Sequence, residues 1–121
     1  MLQVKCRIWM EQDGKPVFGD GRVRLLEAIA DSESLAAAAR KLRMPYRTAW
    51  QHVNLMERAY GRPLVERHPG GPTGGVCRLT KAGKDLLDAY RKFRQGIDGI
   101  VSRRFYRMMG ADAGAPASDD P

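Results

Sequence analysis

One row of polar side chains at helical spacing is the part of this sequence best suited to chemistry. The row recurs at i, i+4, i+7 and i+11, on one face of a helix, and consists of Arg47, Gln51, Asn54 and Arg58. Long side chains of these types hydrogen-bond the edges of nucleic-acid bases, or phosphates, and no acid is among them. The alternative is a solvated polar face, which most amphipathic helices have.

The helix that carries this row is predicted from about Pro45 to Tyr60. Proline suits the first helical position because its φ is already set, and Gly61 is a typical C-cap residue. The face opposite the polar row is expected to point inward and carries Ala49, Val53, Met56 and Tyr60. The helix is therefore amphipathic, with one face for a core and one for a partner.

A shorter helix is predicted just before it, from Leu35 to Leu42, capped by Ser32 or Ser34. Its apolar stripe consists of Leu35, Ala38, Ala39 and Leu42, and its small residues allow another helix to approach closely. Met44 precedes a proline and is disfavoured in a helix, so the run 43–45 ends this element. Two helices joined by such a short turn form a helix-turn-helix.

The N-terminal residues predict a β-hairpin followed by a helix. Strict alternation over residues 2–10 indicates a half-buried strand, Asp13-Gly14 a tight turn, and residues 17–18 a short returning strand. Asp20 is expected to cap the next helix. The inward positions predicted for that helix are Val23, Leu26, Ile29 and Ala30.

A second hairpin and a long helix are predicted after Gly61. Residues 64–67 and 76–79 are strand-like and enclose the glycine-rich loop HPGGPTGG. The two strands and this loop are predicted to form a wing; the alternative is a flexible hairpin without function. Thr80 is expected to cap one helix that continues to about Met109. Residues 110–121 are small and acidic and are expected to be disordered.

Charge supports a polyanionic partner. The 121 residues carry a net charge of +7, and residues 40–67 contain seven basic residues against two acidic ones. No apolar run reaches the roughly 18 residues of a membrane span, and the first ten residues are charged and alternating, so we do not expect them to be a signal peptide. Cys6 and Cys77 lie in strand-like runs and are expected to be buried free thiols rather than a disulfide or metal ligands.

The ordered motifs resemble a known family. The run SLAAAARKLRMPYRTAWQHVNLME, followed by PLVER and the glycine-rich hairpin, is similar to the winged helix-turn-helix domain of molybdate-responsive, ModE-type transcriptional regulators, which are related to LysR-type domains. The most specific part is Met44 to Trp50, and the similarity extends from about Lys5 to Phe93. Pro45 departs from the serine that is usual in this family.

The resemblance implies sequence-specific binding of double-stranded DNA and a link to molybdenum-related gene control. Full-length regulators of this type carry C-terminal molybdate-binding modules, whereas only about a dozen residues follow the last predicted helix here. We therefore expect a stand-alone form without its own oxyanion sensor, with no cofactor, metal or small-molecule ligand.

The expected fold is α+β, mainly α: a winged helix-turn-helix over residues 1–109, with an N-terminal β-hairpin and a long C-terminal dimerisation helix. The expected partners are a pseudo-palindromic DNA operator and a second copy of the chain, in a bacterial cytoplasm and on the nucleoid. A two-fold dimer places two recognition helices one DNA turn apart, ~34 Å.

Three sets of residues are assigned to these partners. The candidates for contact with bases are Tyr46, Arg47, Thr48, Trp50, Gln51 and Asn54. The phosphate and wing candidates are Arg40, Lys41, Arg43, Arg58, Arg67, Gly70, Gly71, Gly74, Gly75 and Arg78. The dimer-interface candidates are Leu86, Tyr90, Phe93, Ile97, Ile100, Val101, Phe105 and Met108.

Several alternatives stay open at this point. The Trp50 indole either packs between helices or makes an apolar contact to thymine or sugar. Each of the basic phosphate candidates can instead be plain surface charge. The last helix can pack on its own domain instead of on a second copy. His52 is expected to be a surface or packing residue, and His68 has no second metal ligand nearby.

An enzyme is disfavoured because the sequence shows no nucleophile motif, P-loop or metal-ligand spacing. A protein-interaction module or an RNA-binding winged helix is the remaining rival.

Overall fold

The computed structural model describes residues 2–68 and 75–110, and in this part of the chain five helices and two hairpins are formed. The elements, in chain order, are β1 (Trp9–Gln12), β2 (Lys15–Gly19), α1 (Asp20–Ser32), α2 (Leu35–Lys41), α3 (Tyr46–Tyr60), β3 (Val65–His68), β4 (Val76–Leu79), α4 (Lys81–Arg94) and α5 (Ile97–Met109). The predicted α+β, mainly α class with two hairpins is confirmed. None of these helices is both long and apolar enough to cross a bilayer.

The N-terminal strand is shorter than predicted. β1 begins at Trp9, which pairs with Gly19, and residues 2–8 form no strand. The reason is that β2 ends at Gly19 and the chain then enters α1, so residues before Trp9 have no partner strand. The Asp13-Gly14 turn is confirmed, with φ of 52° and 79° at its two residues.

Asp20 does not cap α1 as predicted. Gly19 is the N-cap residue, and Asp20 is the first helical residue. The Asp20 carboxylate instead accepts a hydrogen bond from the backbone N–H of Ile8, at 3.1 Å, and one from the Tyr90 hydroxyl. Asp20 therefore links the start of β1 to α4 rather than closing its own helix.

The core lies between α1, α2, α3 and the second hairpin. Its largest fully buried side chains are Leu25, Leu26, Ile29, Met56, Leu64 and Val53. Ala38 and Ala39 of α2 are 0% and 2% exposed, as their small size predicts for a close helix contact. Ala30, predicted inward, is exposed, because Leu25 and Ala28 carry the buried face of α1 instead.

The second hairpin follows α3, as predicted for a wing. β3 and β4 are antiparallel, with Val65 opposite Leu79 and His68 opposite Val76. The Thr80 hydroxyl accepts a hydrogen bond from the N–H of Gly83 at 3.0 Å and thereby caps α4, as predicted. Gly70, Gly71, Gly74 and the tail from residue 111 lie outside the described residues.

The helical segment after Thr80 is interrupted once. One helix was predicted to about Met109, but Gln95 and Gly96 separate α4 from α5, and Gly96 has a φ of +85°. This left-handed conformation costs a glycine little, so the helix ends there although the apolar spacing continues. The segment is therefore two helices of 14 and 13 residues.

Residues 8–90 form one compact unit, and residues 2–7 with 91–110 form a second. In the second unit, Arg94 donates to the backbone oxygen of Cys6 at 3.0 Å, and the Tyr106 hydroxyl donates to that of Leu2. Cys6 is a half-buried thiol outside any strand, which corrects its prediction as a buried strand residue. Cys77 is a buried free thiol in β4, as predicted.

Gly83 provides a test of the packing of α4 against Leu64, the residue that precedes β3. A Cβ at this position would lie 2.2 Å from the backbone oxygen of Leu64. We expect Gly83→Ala to lower the free energy of unfolding by about 1–3 kcal/mol, as overpacking does, measured by urea denaturation. Gly21→Ala is the control, because nothing lies within 4 Å of that Cβ and alanine favours a helix. Equal effects of the two variants would contradict this packing.

Candidate nucleic-acid interface

The inner face of α3 is packed into the core. Ala49, Val53 and Met56 are 0%, 0% and 1% exposed, which confirms the inward direction predicted for them. Tyr60, predicted on the same face, is 41% exposed, because it is the last residue of α3 and lies beyond the packed part of the helix.

The opposite face of α3 is exposed along its whole length. Its polar row, Arg47, Gln51, Asn54 and Arg58, is exposed at every position. The predicted orientation of this row is confirmed, and its donors and acceptors are accessible to a partner. Thr48 lies beside the row and is half-buried.

The N-terminus of α3 has a positive electrostatic character. Pro45 is its N-cap residue and supplies no side-chain hydrogen bond, and the first turn contains no acidic residue. The first N–H groups of a helix lack internal partners and carry the positive end of the helix dipole. Together with the Arg47 guanidinium, this end of α3 is suited to an anionic partner.

The turn between α2 and α3 ends α2 by a mechanism that the sequence analysis missed. Arg43 adopts a left-handed φ of 57°. Its N–H donates to the Arg40 oxygen at 3.1 Å, and the N–H of Met44 donates to the Ala39 oxygen at 3.0 Å. This is a Schellman motif, so the helix ends one residue earlier than predicted, at Lys41, and not because of Pro45 alone. The predicted cap at Ser34 is confirmed by its 3.1 Å bond from the N–H of Ala37.

Three basic side chains surround this turn. Arg40, Lys41 and Arg43 are all exposed. The Lys41 ammonium lies 3.8 Å from the Asp31 carboxylate, a contact between two solvated groups that contributes little to stability. The turn therefore adds exposed positive charge beside the N-terminus of α3.

Arg67 of β3 contacts α3 directly. Its guanidinium carbon lies 3.6 Å from the centroid of the Trp50 ring, and one of its N–H groups donates to the Tyr46 hydroxyl at 2.9 Å. Trp50 is half-buried and packs against the core, which supports the helix-packing interpretation of this residue. Tyr46 is 45% exposed at the first position of α3.

Two glutamates attach the second hairpin to the helices, and the sequence analysis missed both. The Glu57 carboxylate, on α3, accepts the N–H groups of Leu64 and Val65 at 2.8 and 3.3 Å. Glu33, after α1, accepts the N–H of Cys77 with its backbone oxygen at 2.9 Å and binds Arg78 with its carboxylate at 3.1 Å. Glu57 is one of two acids within the basic stretch 40–67, which was a signal for an internal contact, whereas Glu33 lies outside that stretch and had no such signal.

An open depression lies at the C-terminal end of α3. Its lining residues are Asn54, Glu57, Arg58, Gly61, Arg62 and Pro63. Arg62, which the sequence analysis left out of its candidate sets, is exposed here beside Arg58. Since the Glu57 carboxylate is engaged with β3, the two arginines dominate the charge of this depression.

Burial shifts the pKa of two titratable groups near α3. Burial, with a smaller effect of the positive Arg22, lowers the pKa of His52, so its imidazole is neutral at pH 7. His52 is half-buried, consistent with a surface or packing residue. Burial also raises the pKa of the Cys77 thiol, which keeps it protonated and unreactive.

The predicted dimer-interface residues divide into two groups. Tyr90 is only 5% exposed and makes an edge-on contact with Phe18 at 5.1 Å, and Leu86 packs against the same core, so these two stabilise their own domain. Exposed apolar surface is present further on, at Phe93, Ile100 and Met108, which are 53%, 58% and 67% exposed. The remaining predicted interface residues are half-buried: Ile97, Val101 and Phe105.

Comparison with known proteins identifies the family. The model of "Bacterial regulatory helix-turn-helix protein, lysR family" matches residues 21–84, which contain α1, α2, α3 and the second hairpin. This chain belongs to that lysR family. The matched residues include its helix-turn-helix, α2 and α3.

Two relatives of this chain match two thirds or more of its length. Molybdenum-pterin-binding protein MopA from Rhodobacter capsulatus is 43% identical over 81 residues, which are 67% of this chain and 31% of MopA. The DNA-binding transcriptional dual regulator ModE from Escherichia coli K12 is 38% identical over 115 residues, which are 95% of this chain and 42% of that protein. This chain thus spans less than half the length of these relatives.

The crystal structure of the BenM_DBD/catB site 1 DNA complex has the same fold. It superposes with a TM-score of 0.55 at 22% identity, over 74% of this chain and 93% of that chain. The likeness confirms the winged helix-turn-helix fold for this lysR-family member.

Arg43 tests the geometry of the turn before α3. A residue with a Cβ destabilises the folded state by about 1 kcal/mol when its backbone φ is left-handed, and glycine does not have this penalty. We expect Arg43→Gly to raise the free energy of unfolding by about 1 kcal/mol, measured by urea denaturation. Arg43→Ala is the matched control: it removes the same charge but keeps a Cβ, and no such gain is expected. A similar gain in both variants would mean that charge, not backbone conformation, is responsible.

Proposed function

We propose that this chain is a sequence-specific double-stranded DNA-binding transcriptional regulator of the bacterial cytoplasm, acting on the nucleoid. The exposed polar face of α3 carries this proposal: it presents Arg47, Gln51 and Asn54 to solvent, while Ala49 and Val53 hold the opposite face in the core. A recognition helix that enters the major groove needs this division. Membership of a regulatory helix-turn-helix family supports the proposal.

Base reading is assigned to the exposed face and first turns of α3. The guanidinium of Arg47 can bind guanine O6 and N7 together, and the amides of Gln51 and Asn54 can bind adenine. Thr48 is the fourth base candidate, in the first turn. Tyr46 and Trp50, the remaining two base candidates, both contact Arg67.

Phosphate binding is assigned to the exposed cations around α3. Arg40, Lys41 and Arg43 lie before α3, and Arg58 lies at its end, where Arg62 joins it. Contacts of this type fix the register of a protein on DNA but carry no base information. Arg78 and the wing glycines complete this proposed set; of the glycines, Gly75 is the described one and has a φ of +97°.

We further propose that the target genes are related to molybdenum. The proposal rests on the names of the relatives, which include a molybdenum-pterin-binding protein and regulators called ModE.

Substitutions in α3 and α2 separate base reading from phosphate binding. We expect Arg47→Ala to relax the preference at one base position, worth ~1–3 kcal/mol of discrimination, because one bidentate contact is lost. Arg40→Ala should instead weaken binding to all sequences alike. The measurement is selection from a randomised duplex library, followed by titration of the selected duplex.

The control for this experiment is Lys84→Ala, which removes an exposed cation from α4, outside both proposed sets. It should leave affinity and preference unchanged. Uniform loss in both arginine variants would contradict base reading by Arg47. Preference for single strands, or binding that is insensitive to salt, would favour an RNA-binding or protein-interaction module instead.

We also propose a homodimer that uses the apolar surface of the C-terminal helices. Phe93, Ile100 and Met108 are large, apolar and exposed, as an interface between copies requires. A two-fold axis would present two α3 helices to a pseudo-palindromic operator.

Sedimentation analysis tests the dimer. We expect the unmodified chain to sediment with twice the mass of one chain, and Ile100→Lys to sediment as a monomer, because a charge would be desolvated at the interface. Arg104→Ala, a change at an exposed polar position of α5, is the control and should remain dimeric. A monomeric unmodified chain would refute the proposal, and a dimeric Ile100→Lys variant would place the interface elsewhere.

A further inference from the structure

The side chain of Arg67 joins the wing to the beginning of the recognition helix. Its guanidinium lies on the Trp50 ring, 3.6 Å from the centroid, and donates to the Tyr46 hydroxyl at 2.9 Å. Trp50 and Tyr46 are one helical turn apart, so the two aromatic side chains and the guanidinium form one cluster, which we call the Arg67 cluster. The contacts of Arg67 fix both its position and its orientation.

The backbone that carries Arg67 is fixed as well. The carboxylate of Glu57 accepts the N–H groups of Leu64 and Val65, at the start of β3. Arg67 pairs with Cys77 on β4, and the N–H of Cys77 donates to the Glu33 oxygen at 2.9 Å. Both strands of the hairpin are thus anchored to helices near this side chain, and little conformational entropy remains for Arg67 to lose on binding.

The chemistry of the Arg67 cluster suits one DNA phosphate. A guanidinium that lies on an aromatic ring keeps its remaining N–H groups in its own plane, where they can donate to phosphate oxygens. Arg67 is exposed, so these groups are accessible. The Tyr46 oxygen accepts a hydrogen bond from Arg67 and thereby fixes the angle at which the guanidinium lies on the Trp50 ring.

We propose that Arg67 is a phosphate-binding residue and that Tyr46 and Trp50 are its positioning residues rather than readers of bases. The inference rests on the proposed function and deepens it, because it assigns two of the six base candidates to a different role. The wing strand and the recognition helix then bind the DNA backbone as one unit. Base preference is left to Arg47, Thr48, Gln51 and Asn54.

The first test uses the protein without DNA. In a Trp9→Phe background, Trp50 is the single tryptophan, and its fluorescence reports the contact with Arg67. We expect Arg67→Ala to shift the emission to longer wavelength, because water replaces the guanidinium over the ring. Arg78→Ala, which removes an arginine from the neighbouring strand, should not shift it. Identical spectra for the Arg67 variant and its parent would overturn the cluster.

The second test measures binding to a duplex selected from a randomised library by the unmodified protein. Arg67→Ala should lower the affinity and reduce the slope of log K against log salt by about one, as the loss of one phosphate contact does. Tyr46→Phe should lower the affinity about threefold to tenfold, the effect of one hydrogen bond. It should do so equally at all base positions and without changing the slope.

The double variant decides between positioning and base reading. If Tyr46 acts through Arg67, Tyr46→Phe has no further effect in the Arg67→Ala background. Tyr60→Phe, which removes an exposed hydroxyl at the other end of α3, is the matched control and should bind normally. A changed preference at one base position in Tyr46→Phe, or a full effect in the Arg67→Ala background, would overturn this inference alone. Absence of duplex binding by the unmodified protein would overturn the proposed function together with it.

Discussion

The burial of one face of α3 determines where its other face points. Ala49, Val53 and Met56 are excluded from water, and a helix is rigid, so side chains on the opposite face must lie in solvent. The small side chains of Ala38 and Ala39 let α2 approach closely enough for this packing. The direction of Arg47 and its neighbours in the row is therefore a consequence of the hydrophobic core, not of contacts that they make themselves.

Two acidic residues near α3 hold the second hairpin in place. Glu57, the one acid in the sequence of α3, is bound to the N–H groups that open β3, and Glu33 holds β4 through its backbone and Arg78. Carboxylates used in this way attach the hairpin at a fixed position. Arg58, the residue after Glu57, faces solvent, and the Glu57 carboxylate near it is already engaged by the backbone N–H groups of Leu64 and Val65.

The parts of the fold that depend on local pattern were predictable from the sequence, and those that depend on distant partners were not. Alternation over residues 2–10 predicted a strand, but β2 ends at Gly19 and leaves residues before Trp9 unpaired. Gly96 carried a signal for a helix end, which the unbroken apolar spacing on both sides concealed. The two faces of α3 were predicted because periodicity decides them, whereas the contact of Arg67 with Trp50 joins separate elements and has no local signal.

Backbone amide NMR of the labelled protein, titrated with a duplex selected from a randomised library, shows which residues meet DNA. We expect the largest shifts on the first turns of α3, on the α2–α3 turn and on β3, with small shifts on the buried positions of α1. Largest shifts on the β1–β2 hairpin, with α3 unchanged, would contradict the claim that the exposed face of α3 meets DNA.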